Sequence, residues 1–419
     1  MSALRAVSSR FRGDPERHDP VMSTSVETGR ARAWAWIAHL SGGGTTPWLS
    51  WSSSDAADAA PPPRASARAH DGRSLRSRAS PSIAGTEPIA GSARSARRGR
   101  YLPGAQQLEL LRRLNLAGRP SATLVDRVLA ASAPGRGRPD LELVGVDEPR
   151  RFGPPAVDPA VLADDELIRV ATGLLALDLV AVGAHAPPGH KPRRLRTRYE
   201  LAGDPWLASA YTTQLVADGR PPGGGGRSVH VLGADLPTML AHTWAAGAFG
   251  TGVPSWPDFL ARLRARRRLP RRVDLPGVVE RFRARPHTGQ VGVVLDLGEL
   301  PGLVGVRRLA AAPDVPAHAT ELARQVGAAL SLHVLPADQA ALLSSVLRPR
   351  LAGVAGAPPD VPPEHRDWVE DAAFALRQRL LRARYPVKGD PDGLLPSWSE
   401  HPPGSVLALA IELLLEEVS

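Results

Sequence analysis

The sequence contains no cysteine, which excludes disulfide bonds, thiolate metal sites and cysteine nucleophiles. Nor does it contain an apolar run of the roughly 18–20 residues that a membrane span needs. Met1–Arg12 lacks the apolar core of a secretory signal. Together these absences predict a soluble, cytoplasmic protein that does not bind membranes.

Sequence patterns of metal sites and serine hydrolases are also missing. The chain has no HExxH motif, no paired histidines at ligand spacing and no GxSxG elbow. We therefore expect no metal site, and the sequence assigns no catalytic residue.

Lysine and aromatic residues are scarce. Only Lys191 and Lys388 are lysines among 52 basic residues, and aromatics make up 5% of the chain, so Leu, Val and Ala must fill the core. Residues 1–100 hold 15 Arg against 8 acidic residues, a net charge of +7, which leaves +3 of the total +10 for residues 101–419. A basic tail attracts phosphate backbones, but GC-rich coding produces the same arginine excess. Nucleic acid is therefore not the favoured partner.

The composition divides the chain into three parts. Residues 1–100 are rich in Arg, Ala, Ser and Pro without periodicity, which predicts a disordered leader. Within it, residues 33–51 carry four tryptophans and could form a buried strand and turn or a docking segment. Residues 101–398 are predicted to form an α/β domain, and residues 399–419 a C-terminal amphipathic helix that packs on the body or on a partner.

Strands alternate with helices in the central part. Ser228–Leu232 and the apolar run at residues 290–297 read as strands, with a shorter strand at residues 141–146 and helices between and after them. This alternation predicts an α/β fold, a parallel sheet flanked by many helices.

One glycine-rich stretch resembles a phosphate-binding loop. The segment SGGGTTPW at residues 41–48 offers Gly43, Gly44, Thr45 and Thr46, whose backbone amides could hold a phosphate if the turn opens a helix. The segment lacks the lysine of a Walker-type loop, and a plain linker is the competing interpretation.

Two other features could serve a ligand. Asp235 follows the strand at residues 228–232, at the sheet edge where ligands bind in open α/β folds, but it also fits the N-cap of the next helix. Arginines at residues 264–272 cluster at a helix end, where they either balance the helix dipole or bind an anion.

Two stretches resemble the actinobacterial sulfotransferase-like proteins. Residues 228–297 contain ADLPTMLAHTW and SWPDFLARL before GQVGVVLDL, and residues 363–396 contain a Trp-bearing helix, a Tyr-x-Val segment and a Gly-Asp turn. The resemblance implies a P-loop-like three-layer architecture and transfer of a sulfuryl group from 3′-phosphoadenosine-5′-phosphosulfate. Ala234 stands where that family has a basic residue, and the loop lysine is absent, so we expect a diverged or inactive member.

Two alternatives stay open at this point. The chain could be a non-enzymatic binding or scaffold module that uses its basic leader and apolar C-terminal helix to join a protein partner. It could also be a basic protein associated with nucleic acid. A small anionic ligand is compatible with the first alternative and with the sulfotransferase-like reading.

Overall fold

A computed structural model describes residues 20–54, 102–131, 140–147, 152–183, 199–223, 228–286, 288–398, 402 and 404–416. These residues belong to two compact units. Unit 1 comprises residues 1–116 and 139–162, and unit 2 comprises residues 117–138 and 163–419.

Unit 1 is built mainly from helices. Its helices are α1 (Pro20–Ser41), α2 (Trp48–Ser52) and α3 (Ala105–Ala117, whose last residue lies in unit 2), with a 3-10 turn at Pro159–Val161. The strand predicted at residues 141–146 is reduced to a single bridge between Leu143 and Val157. A bridge rather than a strand forms because only one residue pair is in register.

Part of the predicted leader is ordered in unit 1. The tryptophan-rich segment forms the end of α1 and the start of α2, where Trp36, Leu40 and Trp48 are buried. The expectation of disorder over residues 1–100 therefore does not hold for residues 28–54, because indole burial offsets the entropy cost of ordering the chain. Residues 1–19 and 55–100 of that leader lie outside the described residues.

Unit 2 contains a four-stranded parallel sheet. Its strands are β1 (Tyr199–Gly203), β2 (Ser228–Leu232), β3 (Gln290–Val294) and β4 (Val387–Lys388), and they lie in the order β1-β2-β3-β4. The predicted α/β class and parallel sheet are confirmed, and the strands predicted near residues 228 and 290 are β2 and β3. Strand β1 is not among the predicted strands, and it follows directly on an Arg- and Pro-rich stretch.

Many helices surround this sheet. In chain order they are α4 (Ala122–Ala130), α5 (Asp164–Val182), α6 (Pro205–Ala217), α7 (Leu236–Ala248), α8 (Trp256–Arg266), α9 (Leu275–Arg283), α10 (Leu300–Val304), α11 (Ala317–Leu330), α12 (Pro336–Leu342), α13 (Arg348–Leu351), α14 (Pro363–Leu381) and α15 (Val406–Leu415). A π-helical turn, Leu343–Leu347, joins α12 to α13.

Helices cover both faces of the sheet. On one face, valines at alternate positions of β2 and β3 pack against α7, α8, α9 and α14. On the other face, Tyr199, Leu232 and Val294 pack against α6 and α10. The alternation follows from the period of two in a strand, which sends successive side chains to opposite faces.

The C-terminal helix α15 packs on the body of unit 2. Its apolar side chains are buried against α5 and α11. Ser405 caps it by accepting a hydrogen bond from the Ala408 amide at 3.1 Å. Among the described helices, none is long and apolar enough to cross a membrane.

Candidate functional site: an arginine-lined cavity

The glycine-rich loop at residues 41–48 caps a helix. The amides of Gly42, Gly43 and Gly44 donate to carbonyls in the last turn of α1, at 3.1, 3.0 and 2.9 Å. These three amides therefore already donate to the end of α1. The segment before the loop is a helix rather than the strand that precedes a phosphate-binding loop. The amides of these three glycines are therefore not available to a phosphate.

Other contacts hold the same loop in place. Asn115 donates to the Gly44 carbonyl at 2.8 Å, and Arg112 donates to the Thr45 carbonyl at 3.4 Å. The Thr46 hydroxyl lies 3.2 Å from His39 Nε2. Gly43, Gly44, Thr45 and Thr46 thus take part in the packing of unit 1, and a phosphate-binding role for them stays a prediction.

The carboxyl edge of the sheet carries a capping aspartate after each strand. The side chain of Asp235 accepts from the Thr238 amide at 2.9 Å, which confirms the predicted N-cap of α7. The others are Asp204 at the start of α6, Asp296 at the 3-10 turn Leu297–Glu299, and Asp390 at the 3-10 turn Pro391–Leu394.

These caps make the helix-start amides along this edge a poor place for a phosphate. The helix-start amides that bind anions elsewhere already donate to aspartate oxygens, and Asp235, Asp296 and Asp390 add negative charge. The sequential strand order also contains no reversal, which is the feature that opens a ligand crevice in doubly wound sheets.

The arginines after α8 line a cavity of about 590 Å³. Its wall consists of five arginines, one aspartate and four apolar residues, which are Arg267, Arg268, Arg271, Arg281, Arg379, Asp274, Leu269, Ala372, Ala375 and Leu376. With five guanidinium groups and one carboxylate, the cavity wall carries a net charge of +4. The basic cluster in the sequence thus lies beside apolar residues of α14, a neighbour that sequence alone did not reveal.

Two of these arginines are fixed by the protein itself. Arg379 donates to Asp274 Oδ1 at 2.8 Å, and Arg281 donates to the Arg271 carbonyl at 2.5 Å. Asp274 also caps α9 by accepting from the Gly277 amide at 3.4 Å. These contacts hold the loop between α8 and α9 against α14.

The other three arginines have open guanidinium groups. Within the described ranges, the side chains of Arg267, Arg268 and Arg271 form no ion pair or hydrogen bond, and all three are exposed. Their charges are therefore available to a ligand in the cavity.

Tyr385 is a polar residue close to this cavity. Its hydroxyl is enclosed and has no hydrogen-bond partner in the part of the chain that the structure describes. Burial raises the pKa of Tyr385, and the nearby charge of Arg379 partly opposes that rise. The hydroxyl is therefore a neutral group next to the charged wall.

The comparisons with known proteins identify no family. No family model, curated protein or solved structure matches this chain. Among the described residues, no group of His, Asp and Glu could hold a metal ion. The functional assignment therefore depends on the geometry of unit 2.

Proposed function

We propose that unit 2 is a binding domain for a small anionic ligand, a phosphate or sulfate ester, held in the arginine-lined cavity. The observation that carries this proposal is the group of three unpaired arginines beside an apolar wall in one concave site. A cavity of this size lies in the range of about 300–1,000 Å³ that is typical of small-molecule sites. A polynucleotide would need a basic track longer than one cavity.

The backbone of Arg267 supports a functional role for this loop. Arg267 has φ 45°, and it is the one non-glycine residue with positive φ in the described ranges. It occupies the left-handed position that ends α8, where glycine is the common residue. An arginine at a strained position where glycine would fit better indicates that its side chain has a function.

Sulfuryl transfer and the P-loop-like architecture rest on the sequence resemblance and remain predictions. Helices on both faces of a parallel sheet are compatible with them. The capping role of the loop at residues 42–44 favours a chain that binds without transferring a sulfuryl group. Adenosine 3′,5′-bisphosphate, the product of the family's donor, is therefore a suitable probe.

The double substitution Arg268→Ala/Arg271→Ala tests the cavity. We expect the full-length chain to bind adenosine 3′,5′-bisphosphate or pyrophosphate in isothermal titration calorimetry at low salt, and the affinity to fall as salt rises. Loss of two cationic contacts should weaken binding at least about tenfold, equivalent to about 1.4 kcal/mol.

A matched control removes the same charge elsewhere in unit 2. Arg307 and Arg308 are exposed and unpaired within the described ranges, so Arg307→Ala/Arg308→Ala should change the affinity by less than about twofold. Equal losses in both variants would mean that net charge alone attracts the probe. Absence of binding by the unmodified chain would reject the proposal.

Arg267→Gly separates a functional arginine from a structural one. Glycine adopts the left-handed conformation without a Cβ penalty, so the free energy of unfolding should rise by up to about 1 kcal/mol. Affinity for the anionic probe should fall, because one guanidinium is lost. Urea denaturation and calorimetry measure the two effects, and a variant with lower stability and unchanged affinity would contradict both expectations.

A further inference from the structure

Asp204 is enclosed at the end of β1. Its side chain is 0% exposed, and its Oδ1 accepts from the amides of Trp206 and Leu207 at 2.9 and 3.0 Å. Its Oδ2 lies 2.8 Å from Nδ1 of His242, on α7. Three hydrogen bonds thus compensate the burial of one carboxylate.

The contact with Asp204 determines which ring nitrogen of His242 faces the carboxylate and carries a proton. A carboxylate only accepts hydrogen bonds, so Nδ1 carries the proton and Nε2 points away from Asp204. Nε2 has no hydrogen-bond partner within the described chain, and 12% of the side-chain surface is exposed to solvent. Nε2 accepts a hydrogen bond when the imidazole is neutral and donates one when the imidazole is protonated.

An arginine covers the indole next to His242. The imidazole stacks on Trp206 with ring centroids 6.5 Å apart, and the guanidinium of Arg348 lies 4.0 Å from the Trp206 centroid. Trp206 is itself anchored, because its Nε1 donates to the Pro313 carbonyl at 2.8 Å. Arg348 directly follows the π-helical turn Leu343–Leu347, a kind of turn that recurs at functional sites.

Arg348 differs from the other stacked arginines of the described chain. Arg285 stacks on Phe282 and pairs with Glu200 at 3.6 Å, and Arg366 stacks on Trp398 and donates to the Val361 carbonyl. Arg348 makes neither an ion pair nor a hydrogen bond with any described residue.

Burial of Arg348 is therefore not balanced by a carboxylate. Burial lowers the pKa of Arg348, whereas the pKa of Arg112 and that of Arg324 are raised by the hydrogen bonds that they donate to neighbouring glutamates. Stacking uses the face of a guanidinium and leaves the N–H donors on its edge for an acceptor. A half-buried cation with open donors fits an oxyanion that arrives with a ligand.

We propose that Arg348 and His242, which contact the same Trp206 ring, form a second binding subsite for an oxyanion group of a small ligand, a carboxylate or a phosphate. Arg348 supplies the fork of N–H donors, and His242 supplies Nε2, which donates to the oxyanion when the ring is protonated. Asp204 is a positioning residue that orients the imidazole. The subsite shares no residue with the arginine-lined cavity, so this proposal can be tested separately from the proposed function.

The test follows the ring signals of His242 in the full-length chain. Histidine labelled with ¹³C at Cε1 is titrated with inorganic phosphate and, separately, with acetate at constant ionic strength, and His242 is assigned by the signal lost in His242→Gln. We expect a saturable shift of the His242 signal with at least one anion. Saturation by phosphate alone identifies a phosphate subsite, and saturation by acetate alone identifies a carboxylate subsite.

Substitutions decide whether Arg348 is responsible. Arg348→Gln should weaken the apparent affinity at least tenfold, and Arg308→Gln, at an exposed unpaired site, should change it less than twofold. An unchanged affinity in Arg348→Gln, or a shift that never saturates with either anion, would overturn the proposal. So would loss of the response in Arg268→Ala/Arg271→Ala, since the signal would then report the cavity.

A second variant covers the case in which Arg348→Gln does not fold. Arg348→Lys keeps the charge and loses the planar fork, and circular dichroism checks its fold. We expect a loss of at least threefold in affinity for the saturating anion, and a smaller loss would overturn the proposal.

Discussion

Gly203→Ala should destabilise unit 2 by at least about 3 kcal/mol, through backbone strain and a clash at the end of β1. Gly203 has φ 87°, a conformation that side chains rarely adopt. A Cβ at this position would lie 2.3 Å from the Leu232 carbonyl oxygen and 2.9 Å from its amide nitrogen, both in the backbone of β2. Neither atom can move without separating the two strands.

The damage should extend to Asp204. Its amide donates to the Leu232 carbonyl at 2.9 Å, so displacement of β2 also displaces the carboxylate that holds His242. Urea denaturation followed by circular dichroism measures the loss. Gly353→Ala is the control, because a Cβ there meets nothing within 4 Å and the backbone is ordinary, and its free energy of unfolding should change by less than about 0.5 kcal/mol. Similar stability of the two variants would contradict the expectation.

Trp48→Ala should destabilise unit 1 by about 3–5 kcal/mol, the usual cost of removing a buried indole. Trp48 is 2% exposed, its ring centroid lies 5.2 Å from that of Trp36, and its Nε1 donates to the Val144 carbonyl at 2.9 Å. This one side chain therefore joins α2 to α1 and to residues 140–147. Its removal leaves a cavity where three segments meet.

Hydrogen exchange by mass spectrometry is the direct readout, since peptides from residues 28–54 should be protected in the unmodified chain and lose protection in Trp48→Ala. Trp48→Phe keeps an aromatic ring and loses the N–H donor, so its cost should be smaller, near the roughly 0.5–1.5 kcal/mol that one hydrogen bond contributes. Rapid exchange of these peptides in the unmodified chain would instead support the original expectation of a disordered leader.

Composition misjudged the leader for a physical reason. The density of Ala, Ser, Gly and Arg in residues 1–100 resembles disorder, but Trp36 and Trp48 are buried together with Ile37 and Leu40 and order the segment around them. The hydrogen-bond partner of Trp48, the Val144 carbonyl, lies 96 residues away in the chain. Periodicity within the segment could not reveal it.

Several strands and helix starts of unit 2 can be predicted from the sequence, because they depend on residues close together in the chain. The apolar runs at β2 and β3, the caps Ser121, Asp235 and Ser405, and the acidic first turn of α5 all depend on residues within four positions of each other. The α/β class and the parallel sheet follow from this alternation of strands and helices.

Tertiary structure alone decided the candidate sites. Arg268 and Arg271 become a cavity wall only because α14 lies beside them, more than ninety residues further along the chain. His242 meets Asp204 across 38 residues, and Arg348 reaches Trp206 from the far end of a π-helical turn. The sequence by itself determined β2, β3, most helices of unit 2 and their caps, because those depend on nearby residues. Packing between distant segments decides which charged side chains form ion pairs and which remain unpaired. Only the tertiary structure could therefore show it.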